Sequence, residues 1–318
     1  MALEAYNGLT ASPRTLSPWL FYDEIGSRLF EEITLLPEYY LTRTERRIFA
    51  AYADQIIEMA AANRCLALAE LGAGTATKTG LLLQAAVRRQ SHVTYRPIDC
   101  SGSALEEARE NIESGIPGVT VLPQLANYVT ESIQLERPPH SRLLALYIGS
   151  SIGNFSPAEA RTILTKLRSQ LEPGDALLLG TDLASSKHKS VETLLAAYDD
   201  AAGVTAAFNL NMLERLNREL GADFDLSRFA HRAIWNAAES RIEMHLESLD
   251  RQRVHIPASD FALGITVNFE AGETIHTENS YKFTSASVTE LLSDCDFSIA
   301  KTFLDSDGLF AVTLAKAD

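Results

Sequence analysis

Five short apolar runs alternate with amphipathic stretches between residues 65 and 181, and this alternation restricts the fold more than any other feature. The runs cover residues 65–71, 94–99, 119–125, 143–148 and 175–181, and the helical stretches include residues 78–88, 103–112 and 157–171. Continuous apolar runs are typical of buried parallel strands, and strands that alternate with helices indicate βαβ units. The pattern therefore predicts a doubly wound α/β sheet.

The C-terminal region predicts how this sheet is completed. Residues 298–304 and 309–315 flank Asp305-Ser306-Asp307-Gly308, a strong hairpin turn signal. Five parallel strands and a closing antiparallel hairpin give seven strands. This count fits the Rossmann-like sheet of class I methyltransferases better than a six-stranded dinucleotide-binding fold.

The rest of the chain is not needed for the sheet and predicts a second, discontinuous α+β domain. Residues 191–220 show a helical pattern that ends near Gly221, and residues 241–249, 253–256, 265–269 and 273–283 alternate as antiparallel strands do. We assign residues 45–184 and 281–318 to the sheet domain, and residues 1–44 and 185–280 to a substrate-binding domain.

Composition narrows the choice of partners. Hydrophobic residues make up 46% of the 318 residues, no apolar run approaches membrane length, and the N-terminus lacks the pattern of a signal peptide. Lys and Arg number 28 against 42 Asp and Glu, a net charge of −14, which disfavours nucleic acid. The three cysteines form neither a disulfide framework nor a metal motif. We predict a cytoplasmic monomer that acts on a small molecule, without nucleic-acid or membrane partners.

The first strand runs into a glycine turn, Glu70-Leu71-Gly72-Ala73-Gly74-Thr75. Such a turn lets the backbone approach a ligand closely, but Thr77 replaces the third glycine of the dinucleotide motif. Asp99 ends the second strand, 27 positions after Gly72, where an acid can bind ribose hydroxyls. Together these features favour S-adenosylmethionine (SAM) over NAD as the cofactor.

A second glycine segment follows the fourth strand and leaves an alternative open. Gly149-Ser150-Ser151-Ile152-Gly153 matches the nucleophile elbow of serine hydrolases, with Ser151 as nucleophile. The next helix, however, has its N-cap at Ser156 and Pro157 at its first position, and so does not begin at the serine. Asn154 is then left in the loop at the carboxyl end of the strand, where open α/β sheets bind ligands. The histidines show no metal-binding spacing, and we predict no metal site.

Several longer strings resemble the L-histidine Nα-methyltransferases of ergothioneine biosynthesis, which make hercynine, Nα,Nα,Nα-trimethylhistidine. They recur in family order from about residue 15 to the C-terminus and include Phe21-Tyr22-Asp23, Leu36-Pro37-Glu38-Tyr39-Tyr40, Ile148-Gly149-Ser150-Ser151-Ile152-Gly153-Asn154, Tyr198-Asp199-Asp200-Ala201-Ala202-Gly203, Arg241-Ile242-Glu243-Met244 and Thr277-Glu278-Asn279-Ser280-Tyr281. The resemblance implies a SAM-dependent enzyme that trimethylates the α-amine of histidine.

For the cofactor, the resemblance implies binding by Gly72, Lys78 and Asp99. Family members usually carry an acid followed by an aromatic residue after the third strand, where the adenine binds. This sequence has Asn127-Tyr128 there. An asparagine carbonyl still accepts a hydrogen bond from the adenine amino group, although without charge. We therefore expect weaker cofactor binding at most.

For the substrate, the resemblance implies that Asn154 and Tyr198 hold the α-amino and α-carboxylate groups of histidine. Tyr39 would line the same pocket with Tyr22 nearby, and we assign these two as the catalytic residues. The imidazole would lie against Met244 and be bound by two polar groups, the Glu278 carboxylate and the Ser280 hydroxyl.

This pair of polar groups suits a neutral imidazole, which offers one N–H donor and one acceptor nitrogen. An indole or phenyl ring does not match both groups, and this argues against the nearest alternative, an N-methyltransferase of a tryptophan derivative. A serine hydrolase and a catalytically inactive cofactor-binding relative are the alternatives from other classes.

Overall fold

The computed structural model describes residues 1–131, 133–184, 189–258 and 263–318. Its helices, in chain order, are α1 (Ala2–Thr10), α2 (Glu24–Leu35), α3 (Tyr40–Ala61), α4 (Gly80–Gln90), α5 (Gly102–Gly115), α6 (Pro157–Arg168), α7 (Val191–Ala196), α8 (Val204–Leu220) and α9 (Ser285–Ser293). Short 3₁₀ turns cover Pro18–Phe21, Ser151–Asn154 and Leu226–Arg228. No helix in these ranges is both long enough and apolar enough to cross a membrane.

The strands, in the same order, are β1 (Arg14–Thr15), β2 (Leu66–Leu71), β3 (Val93–Asp99), β4 (Val119–Val121), β5 (Gln124–Leu125), β6 (Arg142–Tyr147), β7 (Ala176–Asp182), β8 (Phe229–Asn236), β9 (Arg241–Ser248), β10 (Gln252–Ile256), β11 (Ile265–Phe269), β12 (Thr274–Tyr281), β13 (Phe297–Leu304) and β14 (Phe310–Ala317). Backbone contacts divide the chain into two units. The large unit comprises Leu41–Lys189 and Tyr281–Asp318, and the small unit comprises Met1–Tyr40 and Ser190–Ser280.

The large unit is built on one sheet in the order β13-β14-β7-β6-β2-β3-β4, with β5 also paired to β3. All pairs formed among β2, β3, β4, β5, β6 and β7 are parallel. Strand β14 runs antiparallel to both of its neighbours, β7 and β13. Every residue of β2 and of β7 is buried, because helices cover both faces of a parallel sheet. The predicted class I methyltransferase topology, with its C-terminal antiparallel hairpin, is confirmed.

The prediction of one continuous third strand over residues 119–125 is wrong. The structure has two short strands there, β4 and β5, separated by Leu122-Pro123. A proline has no backbone N–H to donate to a neighbouring strand, so it interrupts the ladder. The sheet consequently has eight strands rather than seven.

The small unit holds a sheet in the order β1-β12-β9-β8 and a separate antiparallel pair, β10 and β11. Strand β9 pairs with β8, which the sequence analysis did not predict. On the helical side, α2 is capped by Asp23, whose carboxylate accepts hydrogen bonds from the Gly26 amide at 2.6 Å and Asn211 Nδ2 at 2.9 Å. The Phe21 ring stacks on Phe208 of α8 at 4.4 Å.

The single helix predicted over residues 191–220 is wrong, because the structure breaks it into α7 and α8. The break ends at Gly203, which has φ +76°. Gly203 is the N-cap of α8, and the Asp200 carboxylate accepts hydrogen bonds from the first two helical amides, Val204 at 3.0 Å and Thr205 at 2.7 Å. The interruption places Tyr198 in the connection between the two helices.

Candidate active site

The glycine turn after β2 is tied to the end of β3. Gly72 and Gly74 have φ +67° and +52°, in the left-handed region that glycine enters most readily. The Gly74 amide donates to Asp99 Oδ2 at 2.9 Å, and the Ser101 amide donates to Asp99 Oδ1 at 2.9 Å. The sequence-predicted cofactor residues Gly72 and Asp99 therefore lie at neighbouring strand ends of one sheet.

The Tyr128 ring covers the Gly72 end of this turn. A Cβ built on Gly72 would be 3.6 Å from Tyr128 Cε1. The Tyr128 hydroxyl is 3.3 Å from that of Tyr147, and the two rings pack edge to face. Burial raises the pKa of Tyr128, so its hydroxyl stays neutral at physiological pH.

Asn127 begins a turn after β5. Its Oδ1 accepts a hydrogen bond from the Val129 amide at 3.1 Å, and its backbone carbonyl accepts from the Glu131 amide at 2.7 Å. An amide oxygen has two lone pairs, so Oδ1 retains the capacity for a second donor.

Lys78 lies before α4 rather than on it, because α4 begins at Gly80 and not at the predicted position 78. Its Nζ donates to Glu45 Oε2 at 2.6 Å. Glu45 is a site residue that was not predicted from the sequence. The signal is its position on α3, where the buried neighbours Leu41, Ile48 and Phe49 recur at helical spacing and place a carboxylate on an apolar face.

Glu70, at the end of β2, is a second buried carboxylate to which the sequence analysis gave no role. Its Oε2 accepts hydrogen bonds from Thr79 Oγ1 at 2.6 Å and from the Tyr95 hydroxyl. Burial outweighs these hydrogen bonds and raises the pKa of Glu70 to about 7.

The segment after β6 turns sharply through Gly149 and Ser150, which have φ +77° and +60°. The Ser150 hydroxyl accepts a hydrogen bond from the Asp182 amide at 2.9 Å. Asn154 ends the following 3₁₀ turn and is half-buried. As predicted, α6 begins at Pro157 with Ser156 as its N-cap, so Asn154 stays in the loop at the carboxyl end of β6.

The geometry of Ser151 does not support the hydrolase alternative. Its hydroxyl donates to the Ile148 carbonyl at 3.1 Å, within its own turn. Across residues 1–131, 133–184, 189–258 and 263–318, no histidine is hydrogen-bonded to this serine. A nucleophilic serine needs such a base.

In the small unit, Tyr198 and Ser280 form a hydroxyl pair. The Tyr198 hydroxyl and Ser280 Oγ are 2.6 Å apart, and both residues are buried. The Tyr39 ring packs edge to face against Tyr198, with ring centroids 6.3 Å apart. The structure therefore brings three of the predicted substrate residues together.

The backbone of Tyr198 is held by His231, which the sequence analysis did not single out. His231 Nε2 donates to the Tyr198 carbonyl at 2.8 Å, and its Nδ1 accepts from Asn209 Nδ2 at 2.9 Å. Burial lowers the pKa of His231. The neutral ring is the form that makes both hydrogen bonds, because one nitrogen donates and the other accepts.

The two remaining residues predicted to bind the imidazole are also buried. Glu278 lies on β12, two positions before Ser280, and its backbone carbonyl accepts a hydrogen bond from His276 Nε2. Met244 on β9 is only 2% exposed, and its carbonyl accepts from Thr277 Oγ1 of β12 at 3.0 Å.

Tyr22 follows the 3₁₀ turn that precedes α2 and is half-buried. Its ring packs edge to face against Phe30 and Phe208, with centroid distances of 5.9 and 6.0 Å. Phe30 also packs edge to face on Tyr39 at 6.3 Å. The two tyrosines assigned as catalytic thus belong to one aromatic cluster of the small unit.

Among the described residues, Glu243, His245 and His276 form a group of potential metal ligands that their sequence spacing did not reveal. The two imidazoles stack at 4.9 Å because β9 and β12 are neighbours. The Glu243 carboxylate, however, already accepts hydrogen bonds from Arg241, Asn236 and His245. These contacts form a hydrogen-bond network around one ion pair, Arg241–Glu243, within β9.

The chain is similar to known proteins over nearly its whole length. A family model described as "Histidine-specific methyltransferase, SAM-dependent" matches residues 1–317. Histidine N-alpha-methyltransferases of Mycobacterium tuberculosis and Mycolicibacterium smegmatis are each 42% identical, over 98% and 97% of this chain and 93% and 92% of theirs. Ergothioneine biosynthesis protein 1 of Schizosaccharomyces pombe is 28% identical over 89% of this chain and 36% of its own length. The chain belongs to the SAM-dependent, histidine-specific methyltransferase family.

Proposed function

We propose that this protein transfers three methyl groups in succession from SAM to the α-amine of L-histidine, forming hercynine as the first step of ergothioneine biosynthesis. The observation that carries this proposal is the buried group of Glu278, Ser280 and Tyr198 in a chain that matches histidine methyltransferases over nearly its whole length.

The large unit fits the cofactor. Gly72 and Gly74 have the left-handed φ values that favour glycine, and such a turn lets the backbone approach a ligand closely. Asp99 provides a carboxylate at the end of β3 for ribose hydroxyls. Lys78 would bind the carboxylate of the methionine part, and Asn127 with Tyr128 would bind the adenine. SAM supplies an electrophilic methyl group on a sulfonium.

Glu278 and Ser280 would recognise the imidazole ring. The carboxylate accepts the ring N–H, and the hydroxyl donates to the other ring nitrogen. The Tyr198 hydroxyl, 2.6 Å from Ser280 Oγ, would fix the direction in which Ser280 donates. A site built from such groups rejects analogues that lack the matching atoms.

The amine must be neutral and aligned before it can attack. Tyr39 and Tyr22 would orient its lone pair, and alignment alone contributes on the order of 7–11 kcal/mol to such a displacement. The aromatic faces of Tyr39 and Tyr198 would accommodate the cationic head group as methyl groups accumulate. The third methylation ends the sequence, because a quaternary ammonium has no lone pair.

Some roles rest on the family resemblance alone. The contribution of Asn154 to amino-acid binding and the contact of Met244 with the ring stay predictions on that basis. The monomeric state is a separate prediction. The net charge of −14 supports a small-molecule substrate without a nucleic-acid partner.

The position of methylation tests the proposal. Purified protein is incubated with histidine and SAM that carries a ¹³C-methyl group, and the product is analysed by NMR. We expect nine equivalent protons from three ¹³C-methyl groups on the α-nitrogen, with the ring protons unmodified. Methylation of a ring nitrogen would contradict the proposed binding of the imidazole by Glu278 and Ser280.

A further inference from the structure

Glu45 is a fully buried carboxylate within the large unit. Its side chain is 0% exposed and lies on the apolar face of α3 with Leu41, Ile48 and Phe49. An ionised carboxylate is retained in such a place only where hydrogen bonds and an opposite charge compensate its desolvation. The groups that donate hydrogen bonds to Glu45 therefore indicate which segments of the chain this carboxylate holds in place.

Those partners belong to two segments at the carboxyl ends of adjacent parallel strands. Glu45 Oε2 accepts from Lys78 Nζ at 2.6 Å, in the turn after β2. Its Oε1 and Oε2 also accept from the Gly149 amide at 2.8 and 3.0 Å, directly after β6. One carboxylate thus joins both segments to α3.

Two glycines provide the space for this arrangement. A Cβ on Gly180 of β7 would lie 2.3 Å from Glu45 Oε1, and a Cβ on Gly149 would lie 2.9 Å from Lys78 Nζ. Contacts below 3.0 Å force a displacement, so side chains at either position would move the ion pair. The glycines at positions 149 and 180 therefore leave room for the Glu45 carboxylate and the Lys78 ammonium.

We propose that Glu45 is a positioning residue for SAM binding and acts by fixing the Lys78 ammonium. This inference rests on the proposed contact of Lys78 with the methionine carboxylate of SAM. An ammonium has three N–H donors, and Glu45 accepts from one of them. The Lys78 side chain is 23% exposed and that of Glu45 is 0% exposed, so Lys78 is the accessible member of the pair. Fixing a flexible lysine in advance reduces the entropy lost when a ligand binds.

A double-mutant cycle on the full-length protein tests this role. SAM and S-adenosylhomocysteine binding is measured by calorimetry for the wild type, Glu45→Gln, Lys78→Met and the double variant. Glutamine keeps an acceptor for the Gly149 amide but loses the charge that holds Lys78. We expect Glu45→Gln to raise both dissociation constants about tenfold. In the Lys78→Met background it should change them less than twofold. The KM for histidine should stay unchanged.

Asp54→Asn is the matched control, because Asp54 lies on the same helix and pairs with Arg88 at 2.6 Å on the surface. It should bind both ligands as the wild type does. Glu45→Asp retains the buried charge in case Glu45→Gln folds poorly, and its shorter side chain should also weaken binding. Wild-type affinity in either Glu45 variant would overturn the inference, as would equal weakening with and without Lys78. A wild type that binds neither ligand would instead overturn the proposed function.

Discussion

Glu278 and Ser280 lie two residues apart on β12, and both are buried. We predict that Glu278→Gln lowers kcat/KM for histidine about 10- to 100-fold. The reason is that hydrogen bonds to charged groups contribute roughly 1.5–3 kcal/mol. The dissociation constant for SAM should not change. Steady-state kinetics with histidine as the varied substrate measure the first effect, and calorimetry measures the second.

Glu270→Gln is the control for this variant, because Glu270 is an exposed glutamate of the same unit. It should leave kcat/KM for histidine unchanged. If Glu278→Gln behaved like this control, Glu278 would not bind the imidazole.

A second prediction concerns the hydroxyl of Tyr198. Tyr198→Phe removes the hydroxyl 2.6 Å from Ser280 Oγ, and a neutral hydrogen bond of this kind contributes about 0.5–1.5 kcal/mol. We expect the KM for histidine to rise up to about tenfold while the KM for SAM stays constant. Tyr52→Phe serves as the control, since Tyr52 is partly exposed on α3 and packs against Phe303. An unchanged KM for histidine in Tyr198→Phe would remove Tyr198 from the binding site.

Single residues were predictable to different degrees. Gly72 and Asp99 followed from a turn motif and the spacing of two strands, which are local signals. Glu45 and His231 did not, because each acts through partners far away in the chain. Their burial is decided by the packing of whole elements, which a sequence pattern does not specify residue by residue.

At the scale of elements, the strands with continuous apolar runs were predicted to within one or two residues. Errors arose where a local device interrupts a pattern. The helical pattern over residues 191–220 is interrupted at Gly203, and α8 starts there with its first amides hydrogen-bonded to the Asp200 carboxylate. The predicted third strand is interrupted at Pro123, which separates β4 from β5. Strand β8 was missed because its residues are mostly half-buried and show no alternation.

Glu70, at the end of β2 just before the glycine turn, leads to a prediction about how stability depends on pH. The pKa of Glu70 is about 7 in the fold and 4.5 as the ordinary value, so the folded state binds its proton more tightly than the unfolded state does. The contribution of this bound proton to the free energy of unfolding is complete below pH 4.5 and is lost as the pH rises through 7. Glu70→Gln is neutral throughout, so its free energy of unfolding should increase by roughly 3 kcal/mol relative to that of the wild type between pH 4.5 and 8.

Urea denaturation of both proteins at pH 5, 6, 7 and 8 measures this difference. Asp54→Asn again provides the control, because Asp54 is exposed and its replacement should give a difference that does not vary with pH in this way. A constant difference for Glu70→Gln would show that Glu70 is ionised in the fold throughout this range.

At the scale of the whole molecule, the class of the large sheet was predictable from the sequence, because parallel strands and crossover helices leave few topologies open. The pairing of strands in the small unit was not predictable in the same way. Strand β12 pairs with β1, about 260 residues earlier in the chain, and a periodicity of two does not identify such a partner.

The proposed chemistry also predicts how the rate depends on pH. The α-amine attacks as the neutral base, and even in peptides an α-amino group has a pKa near 8. We expect kcat/KM for histidine to fall below neutral pH, approaching tenfold per pH unit. Protonation of the substrate imidazole, with a pKa near 6.5, should steepen the fall because Ser280 then loses its acceptor. A rate that stays flat down to pH 6 would contradict attack by a free amine.

Substrate choice and the extent of methylation can be measured together by mass spectrometry. Purified protein is given SAM and an equimolar mixture of the common amino acids, and all products are identified. The account predicts an increment of three methyl groups on histidine alone. Methylation of tryptophan or another amino acid would leave the fold intact but contradict the binding roles of Glu278 and Ser280, and the absence of any methylated product would contradict the proposed function.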